Sequence, residues 1–379
     1  MTFSTLVPRA IWQKLPGGTG VPPVEMMPPF QPQLLSGPTR EPQLHGRDAR
    51  ATGKPSESAG VHKSVEPEPQ LHGRDARATG NPSDSAGVLK SARPPFLLLA
   101  IACVLLGFGA AVYSGGAVSW LRFGLALLGA VAAHVSVNAY NEYQDFRSGL
   151  DARTERTPFS GGSGFLPAHP RFAPAVFGIA TAALLLTCLI GLYFLWLRGA
   201  AMLYVGLPGV LIVASYTPWL IRRPWLCLVA PGLGFGTCMV LGTYVALTGH
   251  YSWTAGFASL VPFFFVSNLL LLNQFPDVEA DRTVGRRHLP IVIGVKKSSS
   301  IYILFLLLGY LSIGAGVWLR YLPLGCLLGE ATLLLAIPAM IRAYRYGEQR
   351  EQLLPALGFN VIINLLTPVL MAVGFFCKF

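Results

Sequence analysis

The sequence predicts an all-α, polytopic membrane protein. It reads as a nine-transmembrane-helix bundle whose cytoplasmic loops carry two Asp-rich motifs, preceded by a disordered N-terminal tail. Three observations predict it. Of 379 residues, 52% are hydrophobic and only 12% charged, against roughly 25% charged in an average soluble chain. The apolar residues gather into nine blocks, each near the ~20 residues that a helix needs to cross a bilayer. Lys and Arg fall almost wholly on one set of the loops between those blocks.

Residues 1–94 are a different material. Pro, Gly, Ser, Ala and charge dominate, and no helical or strand period survives. Glu41–Ser64 recurs as Glu68–Ser91 with three changes, at 54/81, 57/84 and 62/89. Two short polar copies cannot build a solenoid, which needs at least three repeats. This composition predicts a disordered tail. His45 and His72 recur with the repeat and receive no metal role.

Residues 95–379 form the membrane domain. Its spans are expected at about 96–114, 117–138, 173–197, 200–221, 226–248, 253–274, 299–318, 321–341 and 355–377. The first starts too far from the N-terminus to be a signal peptide, and eight more follow. Nine spans place the termini on opposite sides. Of 18 Lys and Arg after Pro95, 14 lie on the side of the N-terminal tail. Only Arg122, Arg198, Arg320 and Lys378 lie on the other. The positive-inside rule then puts the N-terminus and both acidic motifs in the cytoplasm, and the C-terminus outside. The expected location is the cell inner (plasma) membrane. The net charge of +11 is thus a topology signal. A nucleic-acid partner is not expected, because no basic face with aromatics sits on a soluble domain. All six cysteines fall in or beside apolar spans and none forms a C-x-x-C pair, so they read as small buried hydrophobes.

The first motif ends the second span. In Val137–Pro158, Asn138, Asn141 and Asp145 share one helical face at i, i+3 and i+7. Asp151, Arg147, Arg153 and Arg156 follow, then the glycine run Ser160–Gly164. That run lacks P-loop spacing and follows no strand. The second motif ends the sixth span: Asn273, Asp277 and Asp281 lie at i, i+4 and i+8, followed by Arg282, Arg286 and Arg287. The two Asn-x-x-x-Asp pairs are offset by 132 residues, 141 to 273 and 145 to 277. Two carboxylate faces at one membrane depth can share a divalent cation, and such cations take oxygen ligands and sit on phosphates. Arginine forks suit the remaining phosphate oxygens. Arg222-Arg223, after the fourth span, serve either phosphate contact or membrane anchoring. Within the spans, His134, Tyr244, Asn268, Glu330, Asn360 and Asn364 need partners or a wet cavity.

These residues point to a metal-dependent enzyme acting on the diphosphate of a lipid. Two other classes stay open: an ion-coupled transporter using the acids for its coupling ion, and a lipid-headgroup transferase. Transport sites usually lie near the midplane on broken helices. Here the acids cluster at one surface beside arginines.

The motifs also resemble a family. Asn141-Glu142-x-x-Asp145-x-x-x-Gly149-x-Asp151, then Arg156-Thr157-x-x-x-Gly, is similar to the first motif of the UbiA superfamily of intramembrane prenyltransferases. Asp277-x-x-x-Asp281-Arg282-x-x-Gly285-Arg286-Arg287 is similar to its second. The spacing from Asn141 to Asp151 and Gly242-Thr243-Tyr244 look most similar to the menaquinone-pathway dihydroxynaphthoate branch. Glu142 stands where that family usually has Asp. The resemblance implies Mg²⁺, with Mn²⁺ as a substitute, held by Asn141, Asp145, Asp277 and Asp281. It implies an isoprenoid diphosphate donor and an aromatic or other lipophilic acceptor, such as a quinone precursor, meeting in the bilayer. Asp145, Asp151, Asp277 and Asp281 are the expected catalytic set. Asn141, Asn273, Arg147, Arg156, Arg282, Arg286 and Arg287 are the expected substrate contacts. Asp151 and Tyr140 are the candidates for a general base.

Overall fold

Apolar helices make up the described protein. The computed structural model describes residues 87–115, 118–154, 157, 159 and 162–377. In chain order the apolar helices are α1 (Pro94–Tyr113), α2 (Trp120–Arg147), α3 (Pro170–Arg198), α4 (Ala200–Ser215), α5 (Pro224–Thr248), α6 (Trp253–Asn273), α7 (Val295–Trp318), α8 (Leu324–Tyr346) and α9 (Arg350–Gly374). Among the described residues there is no strand. Eight of these helices are long and apolar enough to cross a membrane. The other, α4, has 16 residues, about 24 Å at 1.5 Å per residue, and is short for a hydrocarbon core of ~30 Å. A ninth span therefore rests on α4.

The disorder expected of the tail lies outside the described residues up to position 86. Residues 87–94 are described, and they are packed. Val88, Ser91 and Ala92 are buried, and Val88 joins a cluster with Ala139, Phe165 and Leu166. Composition missed this because the polar Lys90 and Arg93 frame a few small buried side chains.

α6 is the inner helix, with Val261, Phe265 and Leu272 wholly enclosed. It packs on α5, α7 and α9, while α1 packs on α5 and α9, α2 on α3, and α8 on α9. α3 and α4 are peripheral and point Leu185, Leu189, Leu192, Trp196, Tyr204 and Leu211 outward, as lipid-facing helices do. Lipid tails are as apolar as leucine, so helix association depends on close backbone approach. At Gly236 a Cβ would stand 2.6 Å from Phe263 Cα on α6. Residues Leu233–Leu241 of α5 are π-helical, a local widening common at functional sites.

Each intramembrane amide nitrogen finds a partner, while Asn268 Oδ1 and Asn364 Oδ1 are buried without one. Asn268 Nδ2 donates to Tyr302 O at 2.7 Å, and Asn364 Nδ2 donates to Asn360 O at 2.8 Å. Tyr302 donates in turn to Asn360 Oδ1 at 3.4 Å. This network ties α6, α7 and α9 together. Glu330 is half-buried in the 3₁₀ opening of α8. The six cysteines are all free.

Candidate active site

The site begins where α2 outlasts the bilayer. Its 28 residues span roughly 42 Å, more than the ~30 Å hydrocarbon core. The last turns, carrying Asn138 to Asp145, can therefore stand at the membrane surface. Gly149 ends the helix with φ 72, the left-handed conformation that glycine adopts freely. That turn folds the next three residues back and buries Asp151.

The second motif departs from the single helical face expected of Asn273, Asp277 and Asp281, because the helix breaks inside it. α6 stops at Asn273, and Asp277 starts the short helix Val278–Thr283, which carries Asp281. Gly285, at φ 75, reverses the chain, so the Arg286 amide donates to Asp281 O at 3.1 Å. Arg286 Nη1 donates to Asp281 Oδ1 at 2.9 Å. His288 Nε2 pairs with Asp281 Oδ2 at 2.8 Å.

One guanidinium joins the motifs. Arg286 Nη2 donates to Asp145 Oδ1 on α2 while Nη1 holds Asp281. Burial alone would lower the Arg286 pKa; the two carboxylates outweigh it and raise it above its ordinary value. Arg286 is thus a permanent cation between two buried acids.

Glu142 has a different task. It is wholly buried. It accepts from the Ser163 amide at 2.9 Å and the Ser163 hydroxyl at 2.5 Å, and from Arg93 Nη2 at 3.4 Å. A Cβ at Gly162 would meet Asp151 Oδ1 at 2.9 Å and Glu142 Oε2 at 3.3 Å. The glycine therefore lets the loop lie flat on both acids. Asn138 donates to Ala92 O at 3.0 Å, fastening the segment before α1 to α2.

Beside the motifs lies an apolar cavity of about 270 Å³, walled by α1 to α6. Arg93, Asn138, Asn141, Tyr216 and Asn273 line its polar end. Ile190, Phe194, Met202, Val205 and Met239 line the rest. His134 faces it too, edge-on to Phe235 at 4.6 Å between ring centres.

The sequence-expected residues divide accordingly. Asp145, Asp281 and Arg286 come together, and Asn141 and Asn273 line the cavity one turn before Asp145 and Asp277. Asp277 is half-buried at the start of its short helix. Asp151 lies beneath Gly162. Arg147 is exposed and sits over Tyr143 at 5.9 Å. Arg282 pairs with Glu279 at 3.2 Å and is 55% exposed. Arg287 is exposed, as are Arg222 and Arg223. Arg156 lies outside the described residues. Tyr140 packs toward Phe177, 6.0 Å between ring centres. Arg93, Ser163 and His288 enter the site without having been singled out. The one advance signal for Arg93 was its place as the last cation before the first span.

The donor set fits a hard divalent cation. Among the described residues no three His, Cys, Asp or Glu side chains group closely enough to hold a metal by themselves. Mg²⁺ seldom asks for that: it takes one or two carboxylates and completes its shell with water and substrate phosphates. Asp145 and Asp281 already flank one cationic group, and the buried Asn273 Oδ1 has no hydrogen-bond partner.

Residues 100–364 match the UbiA prenyltransferase family. The chain belongs to that family. It is a multi-pass membrane prenyltransferase, in accord with the resemblance carried by its motifs. The chain is similar to a 2-carboxy-1,4-naphthoquinone phytyltransferase of Synechocystis sp., 25% identical over 289 residues, which is 74% of this chain and 90% of the relative. Two solved structures share the fold. One is a UbiA homolog from Aeropyrum pernix K1, with TM-score 0.57 and 19% identity over 73% of this chain and 96% of that one. The other is a UbiA homolog from Archaeoglobus fulgidus bound to DMAPP and Mg²⁺, with TM-score 0.51 and 13% identity over 77% and 100%.

Proposed function

We propose that this prenyltransferase takes its prenyl group from an isoprenoid diphosphate and passes it to an aromatic acceptor of the quinone-precursor class. The observation that carries this reading is the joining of Asp145 and Asp281 by Arg286, next to a cavity of prenyl-tail character. The Synechocystis relative supports the acceptor class, and the Archaeoglobus structure supports a diphosphate and Mg²⁺.

Asp145, Asp281, Asp277, Asn141 and Asn273 would hold the metal, directly or through water. Bound Mg²⁺ supplies charge neutralisation for the departing diphosphate. Arg286 keeps a fixed positive charge at the same place. Glu142 and Ser163 hold the loop over Asp151. The apolar walls take the prenyl chain and keep water from the allylic centre. In the cell the chain is proposed to sit in the inner (plasma) membrane, with its N-terminus and both motifs cytoplasmic.

The test is an incubation of membranes containing the protein with radiolabelled prenyl diphosphates of several lengths and a panel of acceptors, with and without EDTA. Product is expected only with donor, acceptor and divalent metal together. No product from any pairing, combined with ion-coupled uptake in sealed vesicles, would overturn the reading in favour of transport.

A further inference from the structure

His134 stands in the wall of the large cavity and is 5% exposed. Its Nδ1 is buried without a hydrogen-bond partner, and its ring rests edge-on against Phe235. A buried polar atom left unpaired is costly, and an instance in a native fold calls for a reason. We propose that His134 is the general base of the transfer: its imidazole takes the proton of a ring hydroxyl on the aromatic acceptor. This rests on the reading of the reaction given above and adds the residue that activates the acceptor.

The cavity wall leaves few other candidates. Among the described residues that line it there is no Asp or Glu, and its titratable side chains are Arg93, His134, Tyr216 and Cys238. An arginine stays protonated, and a phenol or thiol becomes a base only after losing its own proton. A neutral imidazole carries a free lone pair, and histidine is the most frequent general base. The two residues expected for this role lie elsewhere. Asp151 is buried beneath Gly162, and Tyr140 packs toward Phe177. Neither lines the cavity.

The position suits the task. His134, Asn138 and Asn141 follow one face of α2 at i, i+4 and i+7, and all three line the cavity. At 1.5 Å per residue the imidazole lies about 10 Å deeper along α2 than Asn141. Ala130, Ala133, Gly206, Gly209 and Gly234 line the cavity too, and side chains that small leave width for a flat ring. Phe235, which His134 faces, belongs to the π-helical stretch Leu233–Leu241, a widening frequent at functional sites. An acceptor ring in this slot puts its hydroxyl on His134 and the neighbouring ring carbon toward the donor's allylic carbon.

The step balances. His134 takes the hydroxyl proton as the neighbouring ring carbon bonds to the allylic carbon. The allylic C–O bond breaks, and its electron pair leaves with the diphosphate. The alkylated ring is then a ketone. Its new centre sheds its former substituent, a hydrogen as a proton or a carboxylate as carbon dioxide, and the electron pair left behind restores the aromatic ring. The imidazolium returns its proton to the oxygen and is neutral again.

The experiment uses the full chain in membranes, 1,4-dihydroxy-2-naphthoate as acceptor and a prenyl diphosphate donor, and reads initial rates against pH. His134→Phe keeps a ring against Phe235 and removes both nitrogens. His134→Gln keeps a hydrogen-bonding group that cannot carry the proton, and it answers the question if the Phe variant does not accumulate. Each is expected to lower kcat about 10²-fold or more, the usual worth of a general base, with KM for the donor within about twofold of wild type. A base becomes dispensable once the hydroxyl ionises unaided, and a phenol does so near pH 10. The deficit is therefore expected to shrink about tenfold or more between about pH 7 and about pH 9, which a structural role would not produce. A kcat close to wild type in either variant, or a deficit equal at every pH, would overturn the proposal. A rise confined to the donor KM would overturn it too and make His134 part of the wall for the prenyl chain. Absence of product in the wild type with any donor is a different result, and it would refute the reaction itself.

Discussion

Arg286 and Asp145, 141 residues apart in the chain, share a hydrogen-bonded ion pair that joins the two acidic motifs. The same guanidinium binds Asp281. Their side chains are only 15%, 12% and 3% exposed, so the charges are compensated by one another and little by water. Removing one partner of such a buried set costs on the order of 3–5 kcal/mol, because the others stay buried and unpaired. Arg286→Ala is therefore expected to lower thermal stability sharply in metal-free detergent solution. Added Mg²⁺ should restore part of the loss if Asp145 and Asp281 can bind it. Arg286→Lys keeps the charge but loses the fork, so it should fall between the two. Unchanged stability of the alanine variant would show that the bridge contributes nothing.

Glu142 is predicted to be a latch for the Gly162-Ser163 loop rather than a metal ligand. Its oxygens are spent on Ser163 and Arg93. Ser163→Ala keeps the backbone bond and should cost about 0.5–1.5 kcal/mol, the net worth of one hydrogen bond. Glu142→Ala removes the acceptor for both Ser163 groups. Hydrogen exchange at the Ser163 amide should then speed up markedly in protein that is otherwise folded. If that amide stays protected, something other than Glu142 holds the loop.

Much of this was legible because the signals are one-dimensional. Apolar length marks a span without any knowledge of its neighbours. Asn141 with Asp145 was found because four residues bring a helix back to the same face; Asn273 and Asp277 have the same spacing, but it spans the end of α6 and the start of the next short helix, which no period shows. The exposed arginines were not separable from Arg286 in the same way. Arg282 and Arg287 flank the same loop, but only Arg286 follows Gly285 into the reversal that turns it onto Asp281. Glu142 sits three residues from Asp145, yet its partners are 49 residues before it and 21 after. Tertiary pairings of that kind leave no period. Arg93 was hidden for another reason: the polar repeat runs up to the folded segment and masks its few buried residues.

The orientation is open to a direct test. The 14 to 4 division of basic residues predicts a cytoplasmic N-terminus. A crossing by α4 would then put the C-terminus outside. A reporter active only in the cytoplasm, fused after Phe379, should be silent. Activity would mean that the 16-residue α4 does not cross, and that the chain crosses eight times.

The acidic motifs should act on turnover. Asp145 and Asp277 are four residues after Asn141 and Asn273, which line the polar end of the same cavity. Asn in place of either Asp keeps the size and removes one charge. A metal that stabilises charge growing on a leaving diphosphate acts mainly in the transition state, so the loss should fall on kcat more than on KM. A fall of about 10²-fold or more, roughly 2.7 kcal/mol of barrier, is the expected size. EDTA should abolish wild-type transfer and Mg²⁺ should restore it. Asp145→Glu and Asp277→Glu should recover better with Mn²⁺, whose coordination is less strict than the near-ideal octahedron that Mg²⁺ demands. A transporter behaves otherwise: the substitutions would change ion-coupled uptake in vesicles, and the wild type would make no prenylated product. Full prenyl transfer by both Asn variants would refute a metal site shared by the two motifs, and would leave Arg286 as the electrophile that the diphosphate meets.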